Sequence, residues 1–159
     1  MAVVCTIGAY GWSERAFFDA LLRARTATFC DVRQRRGVRG SEYAFVNSNR
    51  LQRRLADLGI RYVHRLDLAP TTEMRQAQSA ADEAAGVGKR SRSELGQVFV
   101  DAYRRERLDD LDARAFLDEV AADGPVALFC VERDAAACHR GLIAAALTRA
   151  GAEVTHLMP

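Results

Sequence analysis

The residues with the most reactive side chains lie close together near the C-terminal end of the chain. Cys138, His139 and Arg140 are consecutive, and Cys130 and Glu132 lie just upstream. A cysteine beside a histidine can act as a nucleophile with its base, cysteines and histidines together can ligate a metal, and an arginine can bind an anion. The cluster is therefore compatible with a thiol site, a metal site, an anion site or ordinary packing at the start of a helix.

The thiol and anion interpretations depend on where the adjacent helix begins. Residues 134–150 have the pattern of a helix, with Asp134 as its N-cap. Cys138 would then lie in the first turn or so, where free N–H groups and the helix dipole stabilise a thiolate or a bound anion. Arg140 and a protonated His139 would add to this effect. We therefore predict that Cys138 is a nucleophile or a redox thiol.

The metal interpretation uses many of the same side chains. Zinc prefers ligands of the types found at Cys130, Cys138 and His139, with Glu132 as a possible fourth. Adjacent residues of a helix seldom point at one ion, however, and the chain contains no Cys-x-x-Cys pair. We therefore expect no metal site, and the sequence identifies no other cofactor.

The elements that position this cluster follow from the apolar pattern, in which strand-like and helix-like segments alternate. Strands are predicted at residues 2–8, 27–33, 60–68, 125–132 and 153–157, and helices after Ser13, at about 49–58 and at about 134–150. Residues 70–123 are predicted to be helical, with Ser91 and Glu94 spaced as a capping box. We predict one α/β domain over residues 1–159, in three α/β/α layers, with a mostly parallel sheet and a helical insertion between strands three and four.

Polar residues follow several of these strands at the point where each strand ends. Gly8 ends the first strand, Asp31 and Arg33 end the second, and His64 lies near the end of the third. Ligands of open parallel sheets bind beyond the carboxyl ends of the strands, so these residues and the C-terminal cluster should share one edge. The predicted catalytic residues are Cys138, Asp31, Glu132 and His139, and the predicted ligand-binding residues are Gly8, Arg33, Arg140 and His64.

Two kinds of partner are compatible with these residues. The fixed charges of Arg33 and Arg140 favour an enzyme or a binding protein that acts on an anionic small molecule. The alternative is a nucleic-acid-associated protein, in which the arginine-rich loop at 33–54 contacts phosphates. The formal net charge is only +2 and few aromatic residues are interleaved in the loop, which makes nucleic acid the weaker of the two interpretations.

The bulk properties exclude a membrane-spanning protein. No apolar run is long enough to cross a bilayer, and the N-terminal residues lack the charged-then-apolar layout of a signal peptide. We therefore expect a cytoplasmic protein whose four cysteines are free thiols. Cys5, Cys30 and Cys130 lie in apolar strands, where packing is the expected role, although Cys130 ends its strand near the site.

Three segments together resemble one known family. They are TIGAYG at residues 6–11, CDVRQRRG at 30–37 and LFCVERDAAACHR at 128–140. In this order and spacing they resemble the DUF488 family, and the Cys-x-Glu-x5-Cys-His-Arg element is the most specific of the three. The resemblance implies an α/β domain with a shared polar site but supplies no substrate. The matching positions are Gly8, Asp31, Arg33, Cys130, Glu132, Cys138, His139 and Arg140.

Overall fold

The computed structural model describes all 159 residues and contains a five-stranded, entirely parallel sheet. The strands are β1 (Val3–Ile7), β2 (Thr28–Asp31), β3 (Arg61–His64), β4 (Val126–Phe129) and β5 (Glu153–His156), and their spatial order is β3-β2-β4-β1-β5. Because all neighbouring strands are parallel, strands that follow one another in the chain are joined by crossover connections, and all carboxyl ends lie at one edge. The predicted α/β class with a parallel sheet is confirmed.

Six α-helices connect the strands. They are α1 (Glu14–Arg23), α2 (Ser48–Asp57), α3 (Thr72–Ala85), α4 (Gln97–Tyr103), α5 (Ala113–Val120) and α6 (His139–Arg149). A π-helical turn, Arg104–Leu108, extends α4. Helices α3 to α5 lie between β3 and β4 in the chain, which confirms the predicted helical insertion. None of the helices has the length and apolar character needed to cross a membrane.

The sheet divides the hydrophobic core into two clusters. Successive residues of a strand point to opposite faces, so in β4 Phe129 packs on one face and Leu128 on the other. Phe129 meets Phe17 of α1, with ring centroids 5.8 Å apart. Leu128 belongs to the same cluster as Ile143 of α6 and residues of the inserted helices. Helices therefore cover both faces of the sheet.

Strand β3 is shorter than the apolar pattern predicted. It ends at His64, whereas a strand was expected to continue to residue 68. Leu66–Leu68 instead forms a 3-10 turn, in which the N–H of Leu68 donates to the carbonyl of Arg65 over 3.0 Å. Leu68 is still buried. The apolar pattern therefore reflected burial at this position but not backbone conformation.

The predicted capping box in the insertion is also wrong. The hydroxyl of Ser91 bonds to the main chain of Gly88 within a turn, and Glu94 precedes the next helix instead of closing its first turn. Helix α4 begins later, with Gly96 as its N-cap. The side-chain oxygen of Gln78 in α3 accepts the N–H of Gly96 over 2.9 Å. A side chain from another helix therefore binds the main chain at the start of α4.

Candidate functional site

The carboxyl edge of the sheet opens into a cleft of about 1010 Å³. Its lining comes from the loops after β1, β2 and β4, from helix α3 and from residues 86–96. The cationic side chains in the lining are Arg33, Arg35, Arg39, Arg75, Lys89, Arg90 and Arg92, and the carboxylates are Asp82, Glu83 and Glu132. Cations outnumber carboxylates, so the cleft has an excess of positive charge that attracts anions.

The eight residues selected from the sequence divide into two groups of four. The cleft-facing group lines the cleft and consists of Arg33, Glu132, Cys138 and His139. The supporting group is absent from the lining and consists of Gly8, Asp31, His64 and Arg140. All eight lie at the carboxyl edge of the sheet, as their positions after the strands predicted, but only half of them face the cleft.

Arg33 is held rigidly in the cleft wall by Asp31. The guanidinium donates from Nε to Oδ1 of Asp31 over 2.9 Å and from Nη2 to Oδ2 over 2.8 Å. The hydroxyl of Tyr62 donates to the same carboxylate over 2.7 Å. Burial and the nearby charge of Asp31 raise the pKa of Tyr62 to about 12, so its hydroxyl keeps the proton that it donates. The remaining guanidinium nitrogen of Arg33, Nη1, is buried without a partner.

Cys138 lies before helix α6, not within its first turn. It is the N-cap, with extended backbone angles of φ −142° and ψ 148°, and its sulfur accepts the N–H of Arg140 over 3.5 Å. The predicted start of the helix at Asp134 is therefore wrong. Ala135–Ala137 forms a separate 3-10 turn. This turn packs closely against Gly141, where a Cβ would overlap the carbonyl of Ala135.

The imidazole of His139 is oriented by the main chain of the loop after β2. Its Nε2 lies 2.7 Å from the carbonyl oxygen of Val32. A carbonyl can only accept, so Nε2 must carry a hydrogen. The other ring nitrogen, Nδ1, lies 3.6 Å from Sγ of Cys138. Cys138 therefore faces a histidine nitrogen that can accept its proton.

A second thiol is paired with a carboxylate beside this pair. Sγ of Cys130 donates to Oε2 of Glu132 over 3.1 Å. Burial raises the pKa of Cys130 to about 11 and also raises the pKa of Glu132. Burial lowers the pKa of His139, and the hydrogen bond from Nε2 to the Val32 carbonyl raises it. At neutral pH Cys130 therefore carries its proton.

These thiols and the imidazole form one compact group. One ligand atom each from Cys130, Cys138 and His139 lies within 4.8 Å of the others, and all three residues are buried. The other two cysteines, Cys5 and Cys30, lie in strands β1 and β2, and all four are free thiols. Cys130, which was expected to serve mainly in packing, therefore lies at the site.

The supporting group shapes the loops behind the cleft. Arg140 is 1% exposed and donates from Nη1 to the carbonyl of Glu132 over 2.7 Å. A Cβ on Gly8 would overlap the same carbonyl oxygen, so only glycine lets β1 approach this loop so closely. Nε2 of His64 lies 2.9 Å from the carbonyl oxygen of Arg33. The side chains of Arg140 and His64 bind main-chain atoms, and none of the three residues lines the cleft.

Comparison with known proteins gives one match. A family model described as "Domain of unknown function DUF488" matches residues 13–147. The chain belongs to the DUF488 family. No curated protein and no solved structure matches it. The matched range contains every cleft-facing residue of this DUF488 protein but begins after Gly8.

Several residues of the DUF488 cleft were missed in the sequence analysis because they belong to the insertion. Arg92 donates to Asp82 over 2.7 Å, to Glu132 over 3.0 Å and to the carbonyl of Ala137 over 2.9 Å. It therefore ties residues 86–96 to the thiol group. Arg90 lies over the ring of Tyr10, 5.1 Å from its centroid. The only sequence signal for these contacts was a basic segment interrupted by glycines, which does not reveal where it folds.

Proposed function

We propose that this DUF488 protein is an enzyme that binds an anionic small molecule in the basic cleft and attacks it with the thiol of Cys138. The observation that carries this proposal is the Cys138–His139 pair inside the cleft. Nδ1 of His139 is 3.6 Å from the sulfur, while Nε2–H is held by a main-chain carbonyl. A nucleophile, its base and a group that orients the base are the parts that thiol catalysis requires.

Arg33 supports the binding step. Its Nη1 is a buried donor without a partner, and leaving such a donor unpaired costs roughly 1–3 kcal/mol. A carboxylate or phosphate oxygen would satisfy it and recover that free energy once the side chains that cover Nη1 moved aside, because solvent does not reach this atom. The surrounding cations would attract the anion, although the charge of Arg33 itself is already balanced by Asp31.

The neighbouring acids fit supporting roles in the same reaction. His139 would accept the proton of Cys138 at Nδ1, and the resulting thiolate would attack an electrophilic atom of the ligand, forming a sulfur–ligand bond while the bond to a leaving group breaks and that group departs with a proton. Glu132 would supply the proton to the leaving group, since burial raises the pKa of its carboxyl. Asp31 would act by orienting Arg33, and Arg140, Gly8 and His64 by fixing the loops.

Labelling of Cys138 by iodoacetamide, resolved by peptide mass spectrometry, tests the proposal. Cys138 should react faster than Cys5 and Cys30, whose pKa values burial raises to about 11 and about 12. Inorganic phosphate should slow the labelling of Cys138 by occupying the cleft. If Cys138 labels no faster than the two strand cysteines, the thiol role is refuted.

Matched variants test the anion role separately. The double variant Arg35→Ala/Arg75→Ala removes two cations of the cleft lining and should weaken protection by phosphate. The control Arg15→Ala removes a cation of α1 that is 94% exposed and outside the cleft, and should leave protection unchanged. Equal protection by phosphate and by chloride at matched ionic strength would refute anion binding.

The nucleic-acid alternative is favoured by no particular contact of the 33–54 segment. Arg33 binds Asp31, Arg50 binds Glu14 over 2.8 Å, and Arg35 and Arg39 line the cleft. The latter two favour a small ligand in the cleft over an extended phosphate backbone. A gel shift that weakens steeply with salt would support the alternative instead.

A further inference from the structure

We propose that Cys130, Cys138 and His139 form a binding site for a thiophilic divalent cation, zinc, and that the bound cation masks the Cys138 thiol. The binding itself is independent of the proposed enzymatic function. The masking rests on it, because it describes how the same thiol would be regulated. Zinc binding and nucleophilic attack by Cys138 exclude each other, since a thiolate that ligates zinc cannot attack a ligand in the cleft.

The distances within the group match those of a tetrahedral site. Zinc lies about 2.3 Å from a thiolate and about 2.0–2.1 Å from an imidazole nitrogen, so a sulfur and a nitrogen that share the ion are about 3.6 Å apart. Sγ of Cys138 and Nδ1 of His139 are 3.6 Å apart. Sγ of Cys130 completes a group whose atoms all lie within 4.8 Å of one another. Small side-chain rotations therefore suffice to bind the ion.

The orientation of the ligands also fits. A histidine that ligates a metal almost always donates its other N–H to a carbonyl or a carboxylate, and His139 donates Nε2–H to Val32. Cys138 and His139 were expected to be consecutive residues of one helix, whose side chains seldom point at one ion. Cys138 has an extended conformation before the helix, so the two side chains converge.

The group supplies three ligands and leaves a fourth position. Oε2 of Glu132 contacts Cys130 but lies outside the three-atom group, and Oε1 is bound by Arg92. All three ligands line the cleft, so water or the anionic ligand can occupy the fourth position. Binding displaces the two thiol protons to solvent, and the two thiolates neutralise the dication.

Cobalt(II) provides a direct test on the full-length, reduced and metal-stripped protein. Co²⁺ bound by thiolates has a charge-transfer absorption that carboxylate sites lack. We expect this absorption to saturate at one ion per chain and to disappear when Zn²⁺ is added. Cys130→Ser and Cys138→Ser should each weaken the band, and Cys5→Ala, which alters a buried cysteine outside the group, should retain it. Absence of the band in the wild-type protein, or an unchanged band in both serine variants, would overturn the proposal.

Labelling of the wild-type protein tests the masking without any variant. When free Zn²⁺ is about 100 times the dissociation constant, only about 1% of the sites are empty, so labelling of Cys138 should slow about 100-fold. A chelator should restore the rate. If Co²⁺ fails to bind while phosphate still slows labelling, the metal proposal fails and the enzymatic proposal stands. If Co²⁺ binds and the metal-free thiol is unreactive, the metal site stands, whereas both the enzymatic proposal and the masking fail.

Discussion

The cleft-facing group and the supporting group differ in what their polar atoms bind. The supporting residues bind the protein itself: Asp31 binds Arg33 and Tyr62, and both Nη atoms of Arg140 donate to main-chain carbonyls, although its buried Nε has no partner. The cleft-facing side chains retain unused capacity, such as the free Nη1 of Arg33 and the imidazole Nδ1 of His139 beside a thiol. Substitutions in the supporting group should therefore change stability, and substitutions in the cleft-facing group should change reactivity.

Arg140→Ala should have the largest effect on stability. It removes a buried side chain and both donors that Arg140 supplies to the carbonyls of Glu132 and Arg133. We expect the free energy of unfolding, measured by chemical denaturation, to fall by about 3–4 kcal/mol. The control Arg133→Ala alters a half-exposed side chain of the same loop and should cost about 0.5 kcal/mol or less. Equal losses in the two variants would contradict the assignment of Arg140 to the supporting group.

Gly8→Ala should have the next largest effect. The new Cβ would overlap the carbonyl oxygen of Glu132, which is a main-chain atom and cannot rotate away. We expect a loss of about 2 kcal/mol in the free energy of unfolding, because the loop after β4 must shift. Gly37→Ala is the matched control, since the nearest atom to its Cβ would be 4.0 Å away. A loss no greater than that of Gly37→Ala would show that the close approach is not required.

Tyr62→Phe tests whether the hydroxyl of Tyr62 helps to hold Asp31, which in turn holds Arg33. The variant removes the hydroxyl that donates to Asp31 over 2.7 Å but keeps the ring. We expect a loss of about 1 kcal/mol in the free energy of unfolding. Tyr10→Phe is the control, because the hydroxyl of Tyr10 has no hydrogen-bond partner within the protein and its removal should leave stability unchanged. If both variants unfold at the same denaturant concentration, Tyr62 does not help to hold Asp31.

The fold followed from the sequence more completely than the site did. Alternating apolar and amphipathic segments predicted the parallel sheet, and Asp31, Arg33 and Cys138 were correctly expected at its carboxyl edge. Those patterns report burial and periodicity, which depend on neighbouring residues. Which side of the edge a side chain faces depends on loop conformation, and so the division between Arg33 and Arg140 was not predictable.

Contacts between distant parts of the chain could not be predicted from the sequence for the same reason. Arg92 bonds to Glu132, forty positions away, and no local pattern indicates this pairing. The position of Cys138 illustrates a second difficulty. The run of alanines after Asp134 favours a helix, but the chain forms a 3-10 turn there, because this turn packs against Gly141. A tertiary contact thus outweighed local helix propensity.

Cys138→Ser should have the smallest effect on stability and the largest on reactivity. Serine is among the preferred N-cap residues, so its hydroxyl can accept the N–H that Cys138 accepts and can donate to Nδ1 of His139. We expect the free energy of unfolding to change by about 0.5 kcal/mol or less. The same substitution at Cys30 of β2, which is fully buried in an apolar cluster, should lower the free energy of unfolding by about 2 kcal/mol because the hydroxyl is desolvated there.

This pair of substitutions separates a reactive cysteine from a packing cysteine within one denaturation experiment. If Cys138→Ser lowers the free energy of unfolding as much as Cys30→Ser does, the main role of the Cys138 sulfur is packing in the hydrophobic cluster on the α6 face of the sheet. If Cys138→Ser leaves stability unchanged but weakens the cobalt absorption, packing does not require the sulfur, and its position serves its chemistry. The second outcome is the one that the free Nδ1 of His139 and the N-cap geometry of Cys138 predict.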